Sequence, residues 1–280
     1  MIGTRTKRVN KLAVLILDEF VRPDITSGRH QSVYKTLNGA KLPGAGNLFV
    51  VCKATQLSDV ASILREYNQK NKLKGLLIRP DVKTDLLPQL MYHAGATTMR
   101  NTLFYKEPGI VQRILHGWDR QAAHLLIAGA SAAEDNLYIV SCSFKMYILS
   151  FREIPALRLI DNKNRADFII DEDGSFIHWP DADIHLDIDT LEYHTDEEYR
   201  RKADLKKLQY QLQVGSTLKT LRVENNLRQD GIEGLSARQV RRIENGESPM
   251  TLQSLEKFAS VLGMTAEQLM EELADYRSGQ

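Results

Sequence analysis

The sequence predicts a multidomain α+β protein: a small α/β domain first, an antiparallel β domain in the middle, and an all-α domain at the C-terminus. Three observations carry this. Short apolar runs alternate with a helical repeat over the first third; from Ala122 to about Tyr193 the chain is mostly strand-length runs between turn residues; beyond Asp196 the apolar positions recur every three or four residues. With 280 residues, 42% of them hydrophobic, the chain can bury a real core, and its length favours two or three domains. The expected divisions are 1–115, 116–195, a linker helix over 196–214, and 215–280.

Lys11–Leu17 (KLAVLIL), Asn47–Ala54 (NLFVVCKA) and Lys74–Pro80 (KGLLIRP) are apolar runs of strand length, and Thr97–Lys106 is β-rich in composition. Between the second and third, Leu57, Val60, Ala61, Leu64 and Tyr67 keep a helical spacing, with Ser58 and Asp59 as caps. Leu37–Asn47 is punctuated by Gly and Pro and reads as a loop. Its glycines are not followed by the Lys-Ser/Thr of a phosphate-cradling loop. Asp18 and Glu19 follow the first run and Asp81 the third, at the strand ends where open α/β sheets place their sites and where carboxylates suit magnesium. His30, His93 and His116 show no pairing in their spacing.

The middle domain rests on His124–Ala130, Asn136–Phe144, Lys145–Phe151, Ala166–Asp171 and Ser175–Trp179, separated by turn signals such as AEDN and DEDGS. Glu153–Ile160 makes one short helix between them. His178, Asp181, Asp183 and His185 have metal-ligand chemistry. On one continuous strand, 181, 183 and 185 share a face while 178 points away, and Pro180 interrupts the run. The expectation is a polar strand edge with an acidic face and no metal.

Arg165–Tyr193 is similar to the closing half of a small prokaryotic domain family of unassigned role, which ends in an Ile-x-Trp-Pro-x-x-Asp type signature. Here that signature is Ile177, Trp179, Pro180 and Asp183. Members of that family stand alone, some beside toxin-like genes, or are fused to helix-turn-helix domains. The resemblance implies a scaffold or interaction module.

The net charge of +1 hides a split. Asp171–Glu198 carries eleven acids and no Lys or Arg, whereas Arg200–Arg242 carries eleven bases against four acids. Such asymmetry points to a polyanion-binding module tethered to an acidic one. Cys52 and Cys142 are far apart and lack metal-type spacing, so neither a disulfide framework nor a zinc site is indicated, and two buried apolar thiols are expected. The run after the basic N-terminus is too short for a signal peptide, and no run approaches transmembrane length, so a cytoplasmic setting is expected.

In the C-terminal part, Tyr199, Ala203, Leu205, Leu208 and Leu212 form the stripe of an amphipathic linker helix that starts at Thr195 or Asp196. Ser216 precedes a helix with Leu218, Leu221 and Val223 inward. Leu227–Gly234 is short. Ser236 caps Ala237–Glu244, with Val240 and Ile243 inward and Asn245-Gly246 as the stop. Thr251 and Thr265 cap two further amphipathic helices. With Val240 and Ile243 buried, Arg238, Gln239, Arg241 and Arg242 point elsewhere. Arg can bind guanine O6 and N7 bidentately and Gln can do so for adenine, which makes Ala237–Glu244 a recognition helix by geometry and charge.

Gly215–Leu273 resembles the Cro/C1-type (xenobiotic-response-element) helix-turn-helix family, through TLKTLR, LSARQVRRIENGE and SLEKFASVLGMTAEQLMEEL. The resemblance implies a second helix across the DNA backbone, a third in the major groove, and binding as a two-fold dimer. Carried over by position, Ala237, Arg238 and Arg242 lie where bases are contacted, Arg241 and Asn245 where phosphate or sugar is touched, and Ser236 and Gln239 complete the DNA-facing set. One departure is that the segment holding helix two is some three residues shorter than the common pattern. Helix two or its turn is therefore compressed, and Arg228 and Gln229 are not carried over as contacts.

The resulting expectation is a homodimeric, sequence-specific regulator of transcription that binds double-stranded DNA and represses by occluding a promoter. The N-terminal two thirds would respond to a protein partner or small-molecule effector. No cofactor, metal, membrane or catalytic site is expected. Two other readings stay open: an antitoxin-like autoregulator whose acidic β domain binds a basic partner protein, and an enzyme acting on a nucleotide or nucleic acid through Asp18, Glu19 and Asp81.

Overall fold

Leu12–Ile16 (LAVLI) forms strand β1 and is buried along its whole length. A strand covered on both faces needs no polar alternation, which is why the apolar runs here are continuous. β2 (Gln31–Tyr34), β3 (Asn47–Lys53), β4 (Leu73–Arg79) and β5 (Thr102–Phe104) join it in an all-parallel sheet of order β2-β1-β3-β4-β5. The computed structural model describes residues 12–21, 31–35, 42 and 47–275. His30 and most of the expected Leu37–Asn47 loop lie outside them.

The two faces of the sheet have different covers. Ala13, Leu15, Val50, Cys52, Leu76 and Ile78 pack under helices α1 (Leu57–Gln69) and α2 (Leu87–Ala94). Leu12, Val14, Ile16, Phe49, Val51 and Leu77 face helix α3 (Pro108–Asp119), through Val111, Ile114 and Leu115. In α1 the buried residues are the expected five, Leu57, Val60, Ala61, Leu64 and Tyr67. The expected caps are corrected, because a 3-10 turn over Ala54–Gln56 leads into the helix. That makes Gln56 the N-cap and places Ser58 and Asp59 inside the first turn.

Two small antiparallel sheets follow. β6 (Ile127–Ala133), β7 (Asn136–Ser141) and β8 (Met146–Ser150) form a meander, with burial alternating residue by residue in β7. β9 (Ile169–Ile170), β10 (Ile177–Trp179) and β11 (Ile184–Leu186) form the second, in the order β11-β10-β9. Leu137, Ile139 and Leu149 from the first, with Phe151 just past it, share a core with Ile177, Trp179, Ile184 and Leu186 from the second. Trp179 is fully buried and its Nε1 donates to the Arg165 carbonyl at 3.1 Å. Glu153–Ile160 contributes only a 3-10 turn, Ala156–Leu159.

Pro180 does more than interrupt a strand. It opens a 3-10 turn, Pro180–Ala182, and Asp183 takes the left-handed conformation (φ 51°), so the chain doubles back. β10 and β11 then pair antiparallel with His178 opposite His185. Directly opposed residues share a face, so the expectation that His178 points away from His185 is reversed.

The chain divides into two compact units, Met1–Thr195 and Asp196–Gln280. The expected line at 115/116 runs through α3. Helix α4 (Ile188–Thr195) ends the first unit, with Ile188 and Leu191 buried. The second unit begins with α5 (Glu197–Glu224), whose N-cap Asp196 accepts from the amides of Glu198 and Tyr199. The expected linker helix and the helix after Ser216 are therefore one helix of 28 residues, and the line at 214/215 falls inside it. Gly215 does not break it. A Cβ there would stand 2.3 Å from the Ile243 carbonyl oxygen, so the glycine admits a neighbouring main chain.

After α5 come a 3-10 turn (Gln229–Gly231), α6 (Ala237–Glu244), α7 (Leu252–Leu262) and α8 (Ala266–Asp275). Val214, Leu218, Leu221, Ile232, Val240, Ile243, Leu255, Phe258, Ala259 and Leu269 form their common core. Thr251 and Thr265 cap α7 and α8 as expected, each accepting from an amide three residues on. No helix among the described residues is long and apolar enough to cross a membrane.

Candidate nucleic-acid interface

α6 is eight residues long, and its start and stop are both specified locally. Ser236 Oγ accepts from the Gln239 amide at 3.3 Å while Gln239 Oε1 accepts from the Ser236 amide at 2.9 Å, a reciprocal capping box. Gly246 (φ 67°) provides the left-handed residue past the last turn. Arg241 and Arg242 lie in that last turn, where the helix dipole favours cations.

Val240, Ile243 and Glu244 are buried, and every expected DNA-facing residue, Ser236, Ala237, Arg238, Gln239, Arg241, Arg242 and Asn245, is exposed. At about 100° per residue the three buried positions fill one arc, and Arg238, Arg242 and Asn245 cluster around the opposite direction. Ala237, Gln239 and Arg241 lie on the flanks. No described residue makes an ion pair or side-chain hydrogen bond with Arg238, Arg241 or Arg242, whose guanidinium groups face solvent. Three members of the set are engaged: Ser236 and Gln239 hold each other in the capping box, and Asn245 Nδ2 donates to Glu247 Oε1 at 3.0 Å.

What holds α6 in place was not visible in the sequence. Arg222 of α5 and Glu244 of α6 form a buried two-point pair, Nε to Oε1 at 2.5 Å and NH2 to Oε2 at 3.1 Å. Arg222 NH1 also donates to the Leu227 carbonyl at 2.6 Å, and Gln229 Nε2 to Glu244 Oε2 at 2.8 Å. The short second helix is thus reduced to a 3-10 turn that is tied into this network. Gln229 faces inward, and Arg228 is exposed beside Asp230 at 3.7 Å. One signal was present: Glu244 lies four residues after Val240, on the helix face that goes inward, so a charge there demands a buried partner.

Each carboxylate at the sheet's strand ends is engaged by a partner from the chain itself. Asp18 is buried; Arg79 donates to it from Nε (2.6 Å) and NH2 (2.8 Å), and the Tyr105 hydroxyl at 2.6 Å. Burial raises its pKa, but these bonds and that from the Phe20 amide outweigh it and hold the carboxyl below the ordinary range. Glu19 pairs with Lys53, and Asp81 accepts from the amide and hydroxyl of Thr55. His93 is on α2 and His116 on α3, on opposite faces of the sheet.

Two carboxylates of the acidic stretch are reached by bases from earlier in the chain. Glu192 pairs with Lys145 at 2.7 Å and Asp173 with Arg120 at 3.4 Å, while Asp187 accepts from an amide in the first turn of α4 and Asp196 caps α5.

Cys52 and Cys142 are both fully buried, and burial pushes each thiol up to about 12. A comparison with family models matches none to the chain, and a comparison with curated proteins finds none similar to it.

Proposed function

We propose that the second unit binds double-stranded DNA, with α6 in the major groove, and that the protein acts as a sequence-specific transcriptional regulator of the repressing kind. One observation carries the reading: α6 turns Arg238, Arg242 and Asn245 outward together, with the arginine heads unengaged, from a helix locked by a capping box and a buried ion pair. Arginines serving only as surface charge would not need such a mounting; base readout does, because bidentate contact tolerates little displacement. Arg241 on the flank suits phosphate. Binding as a homodimer is supported by α5, whose Leu205, Leu208 and Leu212 are about half exposed at the three-and-four spacing that pairs helices.

The test is selection of binding sites from a random duplex pool with the full chain. An enriched inverted repeat is expected. Arg238→Ala should then cost about 1–3 kcal/mol on that site and relax its sequence preference. Equal losses on selected and random DNA would reduce Arg238 to a phosphate contact, and no enrichment at all would overturn the reading.

A further inference from the structure

The geometry points to a site for a divalent transition-metal cation of the zinc class on the β10–β11 hairpin, held by His178, His185 and Asp183. The three offer ligand atoms that all lie within 4.8 Å of one another. The hairpin fixes two of them. His178 and His185 are directly opposed in the antiparallel register, and their rings stack with centroids 4.1 Å apart and planes 9° apart. Phe176 packs edge-on against His185 at 4.9 Å, which confines that ring from the other side.

The third donor comes from the turn. Asp183, left-handed at the end of the Pro180–Ala182 turn, brings Oδ1 to 3.9 Å from His178 Nε2. His178 Nε2 is itself buried and has no hydrogen-bond partner. Stacking alone accounts for the two rings as a cross-strand pair, but it leaves that nitrogen unsatisfied; a cation between it and Asp183 does not. Asp181 is outside the group, since its Oδ2 accepts from Asn164 Nδ2 at 3.3 Å.

Two imidazoles and one carboxylate suit zinc, cobalt, nickel or copper better than calcium or magnesium, which prefer all-oxygen shells. Bonds of about 2.0–2.2 Å need donors closer together than the widest separation here. The Asp183 side chain is 94% exposed and can swing inward, and because imidazole lone pairs lie in the ring plane, closure on one cation also requires the two parallel rings to tilt out of their stack. Three protein donors leave a further position for water or for a donor from a binding partner.

The test uses the full chain, stripped with chelator and returned to chelator-free buffer. Titration with Zn2+ by calorimetry should show one equivalent that is weakened at least tenfold by Asp183→Asn and by His185→Gln, but not by His194→Gln. Asn tolerates the left-handed backbone at 183, so that variant keeps the hairpin. Histidine imidazole NMR on addition of Zn2+ should shift two rings that the His185→Gln variant no longer shifts together. Absence of a stoichiometric site, or affinity unchanged in both ligand variants, would overturn the proposal and leave the pair as a stacked structural contact.

Discussion

Replacing Glu244 by Gln keeps the shape of the side chain and removes its charge. Arg222 would then remain with only 9% of its side chain exposed, facing an amide that offers one acceptor where the carboxylate offered two. Breaking a buried pair from one side costs about 3–5 kcal/mol, because the other charge stays buried without compensation. A unit of this size has roughly 4–13 kcal/mol in total. Glu244→Gln should therefore lower the unit's melting temperature by tens of degrees, and Arg222→Met should do the same. The double variant Arg222→Met/Glu244→Leu should recover most of the loss, since apolar replacement of a whole buried pair is close to neutral. The assay can tell the units apart. Both tryptophans, Trp118 and Trp179, lie in the first unit, so fluorescence follows that unit alone, while circular dichroism at the helix band follows both. The loss should appear in the dichroism transition and leave the fluorescence transition in place. Single losses below about 1 kcal/mol, or a double variant equal to the sum of the singles, would refute the assignment of this pair as the lock on α6.

Gly215→Ala should destabilise the second unit by about 1–3 kcal/mol despite the helix propensity gained, because the new methyl meets two carbonyl oxygens, of Ile243 and Glu244, at 2.3 and 2.6 Å. Gly231→Ala, with nothing within 4 Å of its Cβ, is the matched control. Asp18 has a folded pKa below its unfolded value, so its contribution is complete above the ordinary carboxylate range and is lost as pH falls through the lower folded value. The fluorescence-detected denaturation midpoint should fall on acidification below about pH 4, and Asp18→Asn should cost about 1–3 kcal/mol of unfolding free energy at neutral pH and flatten that dependence. Native protein at pH 8 should leave both thiols unmodified by iodoacetamide, and unfolded protein should take up two equivalents, since Cys52 and Cys142 titrate only near 12 when folded.

The parts of the fold legible in the sequence are those where one periodicity ruled. α1 shows its five core residues at helical spacing, and β1, β3 and β4 show as apolar runs because both of their faces are covered. Gln31–Tyr34 and Ile184–Leu186 gave no such run, being three or four residues long and partly polar. α2 escaped because only Ala94 of its eight residues is buried, whereas α3 does carry a helical signal, Val111, Ile114 and Leu115 behind a first-position proline. Pro180 was read as an interruption and Gly215 as the start of a new module, but their structural roles depend on what packs beside them. The candidate interface was legible in its cap, stop and outward residues, which are local. Arg222, Gln229 and Glu244 were not, because 22 residues separate the two charges and no local pattern links them.

The crossing of α5 and α6 has a mechanical side. Gly215 meets the carbonyls of Ile243 and Glu244, and Gly246 would place a Cβ 2.9 Å from the Leu212 amide nitrogen, so main chain bears on main chain at two points along the seam. A contact of that kind has little compliance. Side chains in an ordinary helix crossing act as spacers whose volume sets the separation; here the backbone sets it, and repacking the neighbouring apolar residues leaves the outward reach of the arginines where it was.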